Sequence, residues 1–353
     1  MFDWISDNAL VAFIGMASGL LLGLAARLGR FCTMGAIEDL LYGRNDTRMR
    51  MWILAIGLSV TGSFTLMATG LLAPELSFYL SIRWVPLASI IGGLMFGYGM
   101  ALAGNCGFGS IARLGGGDMR AFVIVLVLGM SAYFVMSGPL APFRAMIIEE
   151  EDVVPGERPP GIAHLLAEMT GGSVALIGIV LGLLITVNAL ASRRFLGNPK
   201  AIFWSAVVAL AIVSGWAGSY MVATHGYADM PVVSHSFSAP VGESLLYAMT
   251  GSARAPSFAV GSVAGVILGA FIGSLIKGHF RWEACEDPRE LRRQIIGAAL
   301  MGAGAVLALG CTVGQGLSAF SVLAFSAPVT FLAIFAGAAF GLRQLIEGFQ
   351  PAE

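Results

Sequence analysis

Long apolar runs separated by short polar linkers dominate the chain. A helix that crosses the hydrocarbon core of a bilayer needs about 20 apolar residues, and the hydrophobic pattern contains nine runs of that order. The sequence therefore predicts an all-α, polytopic membrane protein with about nine transmembrane helices, and residues 1–353 are expected to form a single integral membrane domain. The predicted spans lie near 9–28, 51–72, 86–104, 121–141, 171–191, 201–222, 258–276, 294–310 and 319–342.

Composition agrees with a lipid setting. Hydrophobic residues make up 57% of the chain and charged residues 12%, with a mean hydropathy of +0.83, which is more apolar surface than one soluble core could bury. The near-neutral net charge gives no reason to expect nucleic acid as a partner, and the sequence has no zinc-type CxxC pair or phosphate-binding loop. Membrane lipid is the expected surrounding, and no cofactor, metal or enzymatic activity is expected.

The charged linkers predict the orientation of the chain. Short loops rich in Lys and Arg stay in the cytoplasm, and such loops alternate with the stretches 142–168 and 224–256, which carry few basic residues. Nine spans then place the N-terminus outside and the C-terminus inside, in the cytoplasmic (inner) membrane. The basic linkers are GRNDTRMR (43–50), RLGGGDMR (113–120), SRRFLGNPK (192–200) and KGHFRWEACEDPRELRR (277–293).

Three cysteines follow apolar runs in the same local pattern. Cys32 lies in GRFCTMG, Cys106 in GNCGFGS and Cys311 in GCTVGQG, and each begins a Cys-x-x-Gly stretch. A glycine-rich break within a span survives only if it is buried in protein or lines a polar path, so re-entrant loops are predicted here. The freed N–H groups and helix ends would suit an anion, and a polarizable thiol suits a soft sulfur atom better than a hard phosphate oxygen.

The same pattern extends into an internal repeat. By the loop charges, the helix that leads to Cys106 runs inward and the helix that leads to Cys311 runs outward, which predicts an inverted repeat with broken helices meeting near the membrane midplane. The first repeat is expected at about 9–141 and the second at about 171–342. Aligning the two cysteines superposes Gly92, Gly97, Gly99, Leu102, Ala103 and Gly109 on Gly297, Gly302, Gly304, Leu307, Ala308 and Gly314.

Four segments resemble the YeeE/YedE family of membrane proteins, whose members include thiosulfate uptake transporters. They are GRFCTMGAIED (29–39), GYGMALAGNCGFGS (97–110), GHFRWE (278–283) and LMGAGAVLALGCTVGQGLS (300–318), and the similarity covers nearly the whole chain. The resemblance implies an hourglass-shaped body with re-entrant loops, through which thiosulfate passes by successive hydrogen bonds to three thiols, here Cys32, Cys106 and Cys311. It also implies a separate cytoplasmic sulfur carrier of the TusA type as a partner.

The resulting expectation is transport of thiosulfate, or a closely related sulfur-containing anion, into the cell. Related family members are thought to handle other sulfur or selenium compounds, and the Cys-x-x-Gly loops do not distinguish these substrates. The residues expected to bind or pass the anion are Cys32, Gly35, Asn105, Cys106, Gly107, Gly109, Arg281, Gly310, Cys311, Thr312, Gly314 and Gln315.

Several charged residues admit two interpretations. Arg30, Arg113 and Arg281 flank the motifs and would attract a dianion, but they serve equally well as topology markers. Cys285, in a charged segment beyond GHFRWE, is expected to be an incidental cytoplasmic thiol. The acidic run 149–152 is interpreted as a solvated loop.

The polar neighbours of the cysteines are also ambiguous. Asn105, Thr312 and Gln315 either donate hydrogen bonds to substrate oxygens or hold the loop backbone in place, and the second role is favoured. His225 and His235 are interpreted as loop residues rather than metal ligands.

Two other function classes remain open. A membrane-embedded sulfurtransferase or thiol redox protein would form a cysteine persulfide, and it would need a His or Lys close to one cysteine to stabilise the thiolate. No such residue is adjacent in sequence to Cys106 or Cys311. A structural subunit of a larger membrane complex is the third possibility.

Overall fold

The protein is built of helices throughout the part of the chain that the structure describes. The structure is a computed structural model that describes residues 6–147, 159–226, 230–283 and 287–348. Within these ranges there are no β-strands, and only isolated β-bridges pair Ser77 with Val232, Asp118 with Glu283 and Gly161 with Ala324. The predicted all-α fold class is confirmed.

Long helices alternate with short ones along the chain. A 3₁₀ turn lies at Pro74–Leu76 and a π-helical segment at Gly314–Ala319. In chain order the α-helices are α1 (Asp7–Leu28), α2 (Thr33–Leu41), α3 (Thr47–Ala68), α4 (Phe78–Ser81), α5 (Pro86–Ala103), α6 (Gly107–Gly115), α7 (Met119–Met136), α8 (Ala141–Ile147), α9 (Ile162–Thr170), α10 (Val174–Leu190), α11 (Arg193–Leu196), α12 (Pro199–His225), α13 (Ala239–Thr250), α14 (Phe258–Ile276), α15 (Pro288–Leu307) and α16 (Ser326–Glu347).

Each of the nine predicted spans falls on one helix, but the count of nine is not confirmed. Seven described helices are long and apolar enough to cross a membrane, or eight if α9 and α10, which meet at a bend of 119°, form one span. The remaining long helix, α15, does not qualify because its first turns are highly charged. Those charges are Arg289, Glu290, Arg292 and Arg293.

Helices α5 and α15 cross in direct backbone contact at glycines. A Cβ atom added to Gly92 would lie 2.7 Å from the carbonyl oxygen of Gly304, and one added to Gly297 would lie 2.6 Å from that of Gly99. Small residues allow backbones to approach this closely in lipid. The two contacts are related by a shift of 205 residues, which is also the separation of the cysteines that follow the two helices.

Two further glycines, which contact the neighbouring helices α16 and α7, are also 205 residues apart. Gly97 of α5 packs against the backbone of Ile334 in α16, and Gly302 of α15 packs in the same way against Leu128 in α7. Reciprocal contacts of this kind arise when two equivalent units meet about a two-fold axis. The contacts are of the kind that the predicted inverted repeat would give, and the repeat itself stays a prediction.

Helices α1 and α14 run side by side and bring two cations to one end of the molecule. Gly15 contacts Phe258 near the start of each helix, and Gly23 contacts Val266 further along. At the far end, Lys277 Nζ donates to the carbonyl oxygen of Arg27 at 2.5 Å. The pair therefore ends in a cluster of positive charge.

The glycine crossing predicts a strong effect of one added methyl group. Gly297→Ala is expected to destabilise the protein by about 1–3 kcal/mol, because the methyl group overpacks a backbone contact. Thermal unfolding of the detergent-solubilised protein measures this. The matched control is Gly197→Ala, where the nearest atoms lie 3.6 Å from the added Cβ; equal unfolding temperatures of the two variants would contradict the packing described.

Candidate functional site

Three loops of similar shape lead into the short helices. The residue two positions before each cysteine has a positive φ angle: 56° at Arg30, 77° at Gly104 and 53° at Leu309. This conformation turns the chain sharply after a long helix, and it is uncommon for residues other than glycine. Short helices then begin after the cysteines: α2, α6 and the helical segment 312–321.

Two of the cysteine sulfur atoms accept hydrogen bonds from backbone N–H groups. Cys106 Sγ accepts from the N–H of Gly109 at 3.3 Å. Cys311 Sγ accepts from Gly314 at 3.4 Å and from Phe237 at 3.3 Å. Each of these bonds uses a lone pair of the sulfur and not its hydrogen, so the thiol hydrogen is not consumed by them.

Side-chain contacts connect the first two loops and the third. The Cys32 thiol donates to Asn105 Oδ1 at 3.7 Å, and Thr33 Oγ1 donates to Cys106 Sγ at 4.0 Å. The Thr312 hydroxyl, which follows the third cysteine, lies beside the Cys106 thiol and has no hydrogen-bond partner among the described residues. The three cysteine loops thus meet at one place.

Two cavities approach this meeting point from opposite ends of α1. The basic cavity, of about 400 Å³, is lined by Cys32 and by Arg27 near the end of α1. The apolar cavity, of about 590 Å³, is lined by Asn8 and Val11 near the start of α1 and by Gly310.

The basic cavity carries a marked excess of positive charge. Its lining includes Glu38 as a carboxylate and five cationic side chains, Arg27, Arg30, Arg48, Arg113 and Lys277. Burial and the neighbouring charges of Arg30 and Arg27 lower the pKa of Lys277. Such a concave, positive surface attracts anions.

Among these cations the hydrogen-bonding arrangements differ. Arg48 pairs with Asp39 at 3.2 Å, whereas Arg27 Nε donates to the neutral hydroxyl of Ser274 at 2.7 Å. The positive charge of Arg27 is therefore not cancelled by that contact. Arg30 and Arg113, the two flanking arginines singled out in the sequence, lie in the same lining.

A buried waist separates the two cavities. Cys106, Cys311 and Thr312 are each 0% exposed, while Cys32 is partly exposed and lines the basic cavity. The hourglass expected from the family resemblance has its counterpart in two cavities with a closed constriction between them.

The predicted glycines and polar residues lie at or beside this constriction. Gly35, Asn105 and Gly109 line the basic cavity, and Gly310 lines the apolar one. Gly107, Gly314 and Gln315 are buried at the waist.

Gln315 holds the loop backbone in place. Its Nε2 donates to the carbonyl oxygens of Ala308 at 2.8 Å and Leu309 at 3.1 Å. These carbonyls end helix α15 and would otherwise lack partners. In this position the Gln315 amide supports the loop backbone, and any contact with substrate stays a prediction.

Arg281 is not brought to the cysteines. Its side chain is exposed and lines neither cavity, and its backbone N–H donates to the carbonyl oxygen of Gly116 at 3.4 Å. The GHFRWE segment therefore closes over the loop after α6 rather than entering the waist. Cys285 and the acidic run 149–152 lie outside the described residues.

Sequence reasoning missed a fourth loop at the waist, residues 232–238. This loop supplies the Phe237 N–H and the Ser236 hydroxyl, which lies 3.8 Å from Cys311 Sγ. The signal was present, because the repeat shift of 205 residues carries Cys32 onto Phe237. His235 packs this loop from behind: its Nδ1 lies 2.6 Å from Ser262 Oγ.

Comparisons with known proteins identify relatives that are named for the transport of sulfur compounds. The sequence profile of the family described as Sulphur transport matches residues 28–340. The chain is 26% identical over 318 residues to the thiosulfate transporter TsuA of Escherichia coli strain K12, covering 86% of each chain. It is also 26% identical over 324 residues to the thiosulfate transporter TsuA of Spirochaeta thermophila, covering 88% of this chain and 92% of the relative.

The burial pattern predicts which thiols react in the native protein. N-ethylmaleimide is expected to modify Cys32, which lines an open cavity, and to leave Cys106 and Cys311 unmodified until the protein is denatured. Peptide mapping by mass spectrometry separates these sites from Cys285. Modification of Cys311 at the rate of Cys32 under native conditions would be incompatible with a closed waist.

Proposed function

Because the chain belongs to the YeeE/YedE family of sulphur transport proteins, we propose that it carries thiosulfate, or a closely related sulfur anion, across the cytoplasmic membrane into the cell. The observation that carries this proposal is the meeting of three cysteine loops at a buried waist between two cavities. Its relatives named as thiosulfate transporters span nearly the whole chain. The protein is a multi-pass membrane protein, and transport is the activity that such a waist can perform.

The thiols act as weak donors along the path. A doubly charged anion cannot leave water unless donors replace its hydration, and a thiol hydrogen suits the soft terminal sulfur of thiosulfate. From the apolar cavity the anion meets Cys311 first, then Cys106 and finally Cys32. The unpartnered hydroxyl of Thr312 offers a donor to the substrate oxygens between the first two thiols.

The basic cavity faces the cytoplasm in this proposal. The positive linkers lie at the same end of α1 as this cavity, so the proposed N-terminus is outside. Helices α10 and α15 are then counted as crossings in addition to the seven candidate spans. A dianion that enters a cell with a negative interior works against about 4.6 kcal/mol per 100 mV. Sustained uptake therefore needs removal of the anion inside, for which a TusA-like sulfur carrier beside the basic cavity is the proposed acceptor.

Hydrogen bonding is favoured over persulfide chemistry by the surroundings of the buried thiols. The described contacts of Cys106 and Cys311 are backbone N–H groups and hydroxyls. A reactive thiolate would need a neighbouring cationic residue. Among the described residues, no hydrogen bond joins either thiol to a His, Lys or Arg. The thiols are therefore proposed to bind the anion in turn by hydrogen bonds, without forming a covalent bond to it.

Replacement of either buried thiol tests the relay. Cys106→Ala and Cys311→Ala are each expected to abolish uptake of radiolabelled thiosulfate into proteoliposomes, because the dehydrated anion loses a donor at the narrowest point. The control Cys285→Ala is expected to leave uptake near the wild-type level. Sulfite, sulfate and selenite as competitors define the substrate range.

Two results would contradict this proposal. Normal flux through either alanine variant with normal folding would remove that thiol from the path. A stable added sulfur mass on Cys106 after incubation with thiosulfate, without flux, would instead favour a sulfurtransferase.

The proposed orientation predicts one-sided labelling of Cys32. In the Cys285→Ala background, a membrane-impermeant anionic thiol reagent is expected to modify Cys32 in inside-out vesicles and not in right-side-out vesicles, because the basic cavity opens to the cytoplasm. Mass spectrometry of the Cys32 peptide measures this. Preferential labelling in right-side-out vesicles would reverse the assigned orientation.

A further inference from the structure

Four loops meet at the waist, but only three of them carry a cysteine. The fourth, residues 232–238, presents the Ser236 hydroxyl to Cys311, at 3.8 Å from its sulfur. Cys32 of the first loop occupies the corresponding region of the other half, since the repeat shift of 205 residues carries it onto Phe237. The fourth loop thus has a phenylalanine at the position that corresponds to Cys32, with the Ser236 hydroxyl next to it.

A second hydroxyl joins Ser236 at the same point. The side chains of Tyr79 and Ser236 lie next to each other, and both line the apolar cavity. They converge over Gly314: a Cβ atom added there would lie 2.7 Å from Ser236 Oγ and 2.9 Å from Tyr79 Oη. We call Tyr79 and Ser236 the hydroxyl pair.

The hydroxyl pair is held in place by the backbone. Ser77 and Val232 form a β-bridge, and the N–H of Phe78 donates to the carbonyl oxygen of Val232 at 3.2 Å. The ring of Tyr79, which is 9% exposed, packs edge-on against Trp216 at 6.3 Å. The two hydroxyls are therefore preorganised before any ligand arrives, which reduces the entropy lost on binding.

We propose that the hydroxyl pair binds the sulfonate oxygens of the anion while the Cys311 thiol binds its terminal sulfur. This inference rests on the proposed function and defines the substrate class as an oxyanion that also carries an exposed sulfur atom. Hydroxyl groups are stronger donors to hard oxygen atoms than thiols are. The end of the waist that faces the apolar cavity therefore binds the oxygen atoms and the terminal sulfur of the anion at the same time.

Equilibrium binding and flux, measured separately, test this assignment. The probe is radiolabelled thiosulfate, with the purified full-length protein for binding and proteoliposomes for uptake. Ser236→Ala and Tyr79→Phe are each expected to raise the dissociation constant and the KM by about tenfold or more, as for loss of a hydrogen bond to a charged group. Ser236→Cys is expected to resemble Ser236→Ala, because a thiol donates poorly to oxygen.

Matched controls keep the substitution types constant. Ser244→Ala removes a hydroxyl that donates to the carbonyl oxygen of Pro240 within α13. Tyr133→Phe removes a hydroxyl on α7 from a residue that lines neither cavity. Both are expected to bind thiosulfate as the wild type does.

The outcomes separate this inference from the function on which it rests. If the wild type binds and transports thiosulfate and both hydroxyl variants match it, or if Ser236→Cys binds more tightly, the hydroxyl pair does not contact substrate oxygens and the inference fails alone. If the wild type binds thiosulfate but does not transport it, and the variants bind it weakly, the proposed binding site is supported and the proposed transport function is refuted. If the wild type does not bind thiosulfate, both fail.

Discussion

The organisation of this protein depends on one requirement: backbone polar groups inside a bilayer must find partners within the protein. Where the chain breaks a helix at a cysteine loop, N–H groups and carbonyl oxygens lose their helical partners. The cysteine sulfurs take the N–H groups of Gly109, Gly314 and Phe237, and Gln315 takes the carbonyl oxygens at the end of α15. The side chains that stabilise the breaks are thus the same ones that form the waist.

Much of this arrangement could be predicted from the sequence. Each predicted apolar run coincides with a long helix of the described residues, because lipid imposes a minimum length on every crossing. By composition alone α15 does not count as a membrane span, because its first turns carry four charged residues. The cysteines could be predicted to meet because the repeat shift of 205 residues relates two of them and their glycines.

Other features could not be predicted from local patterns. Tyr79 and Ser236 are 157 residues apart, and the bridge between Ser77 and Val232 helps to bring them together. Arg27 looks like an ordinary basic residue at a helix end, and it lines a cavity because α1 packs against α14. For Arg281 the expectation was wrong in the opposite direction. It was included in the expected site because it lies in a motif that resembles the family, but its side chain is exposed.

The crossing of α5 and α15 has a mechanical consequence. These two helices carry the loops of Cys106 and Cys311, and their backbones touch at Gly92 and Gly304 and at Gly99 and Gly297. With no side chains between them to repack, the helices act as a rigid strut that fixes the separation of the two thiols. In the proposed transport, the anion would therefore pass by rearrangement of small side chains at the waist rather than by a change in the angle between the two helices. A fixed distance between the two thiols would favour pore-like passage over the rocking of one half of the molecule against the other.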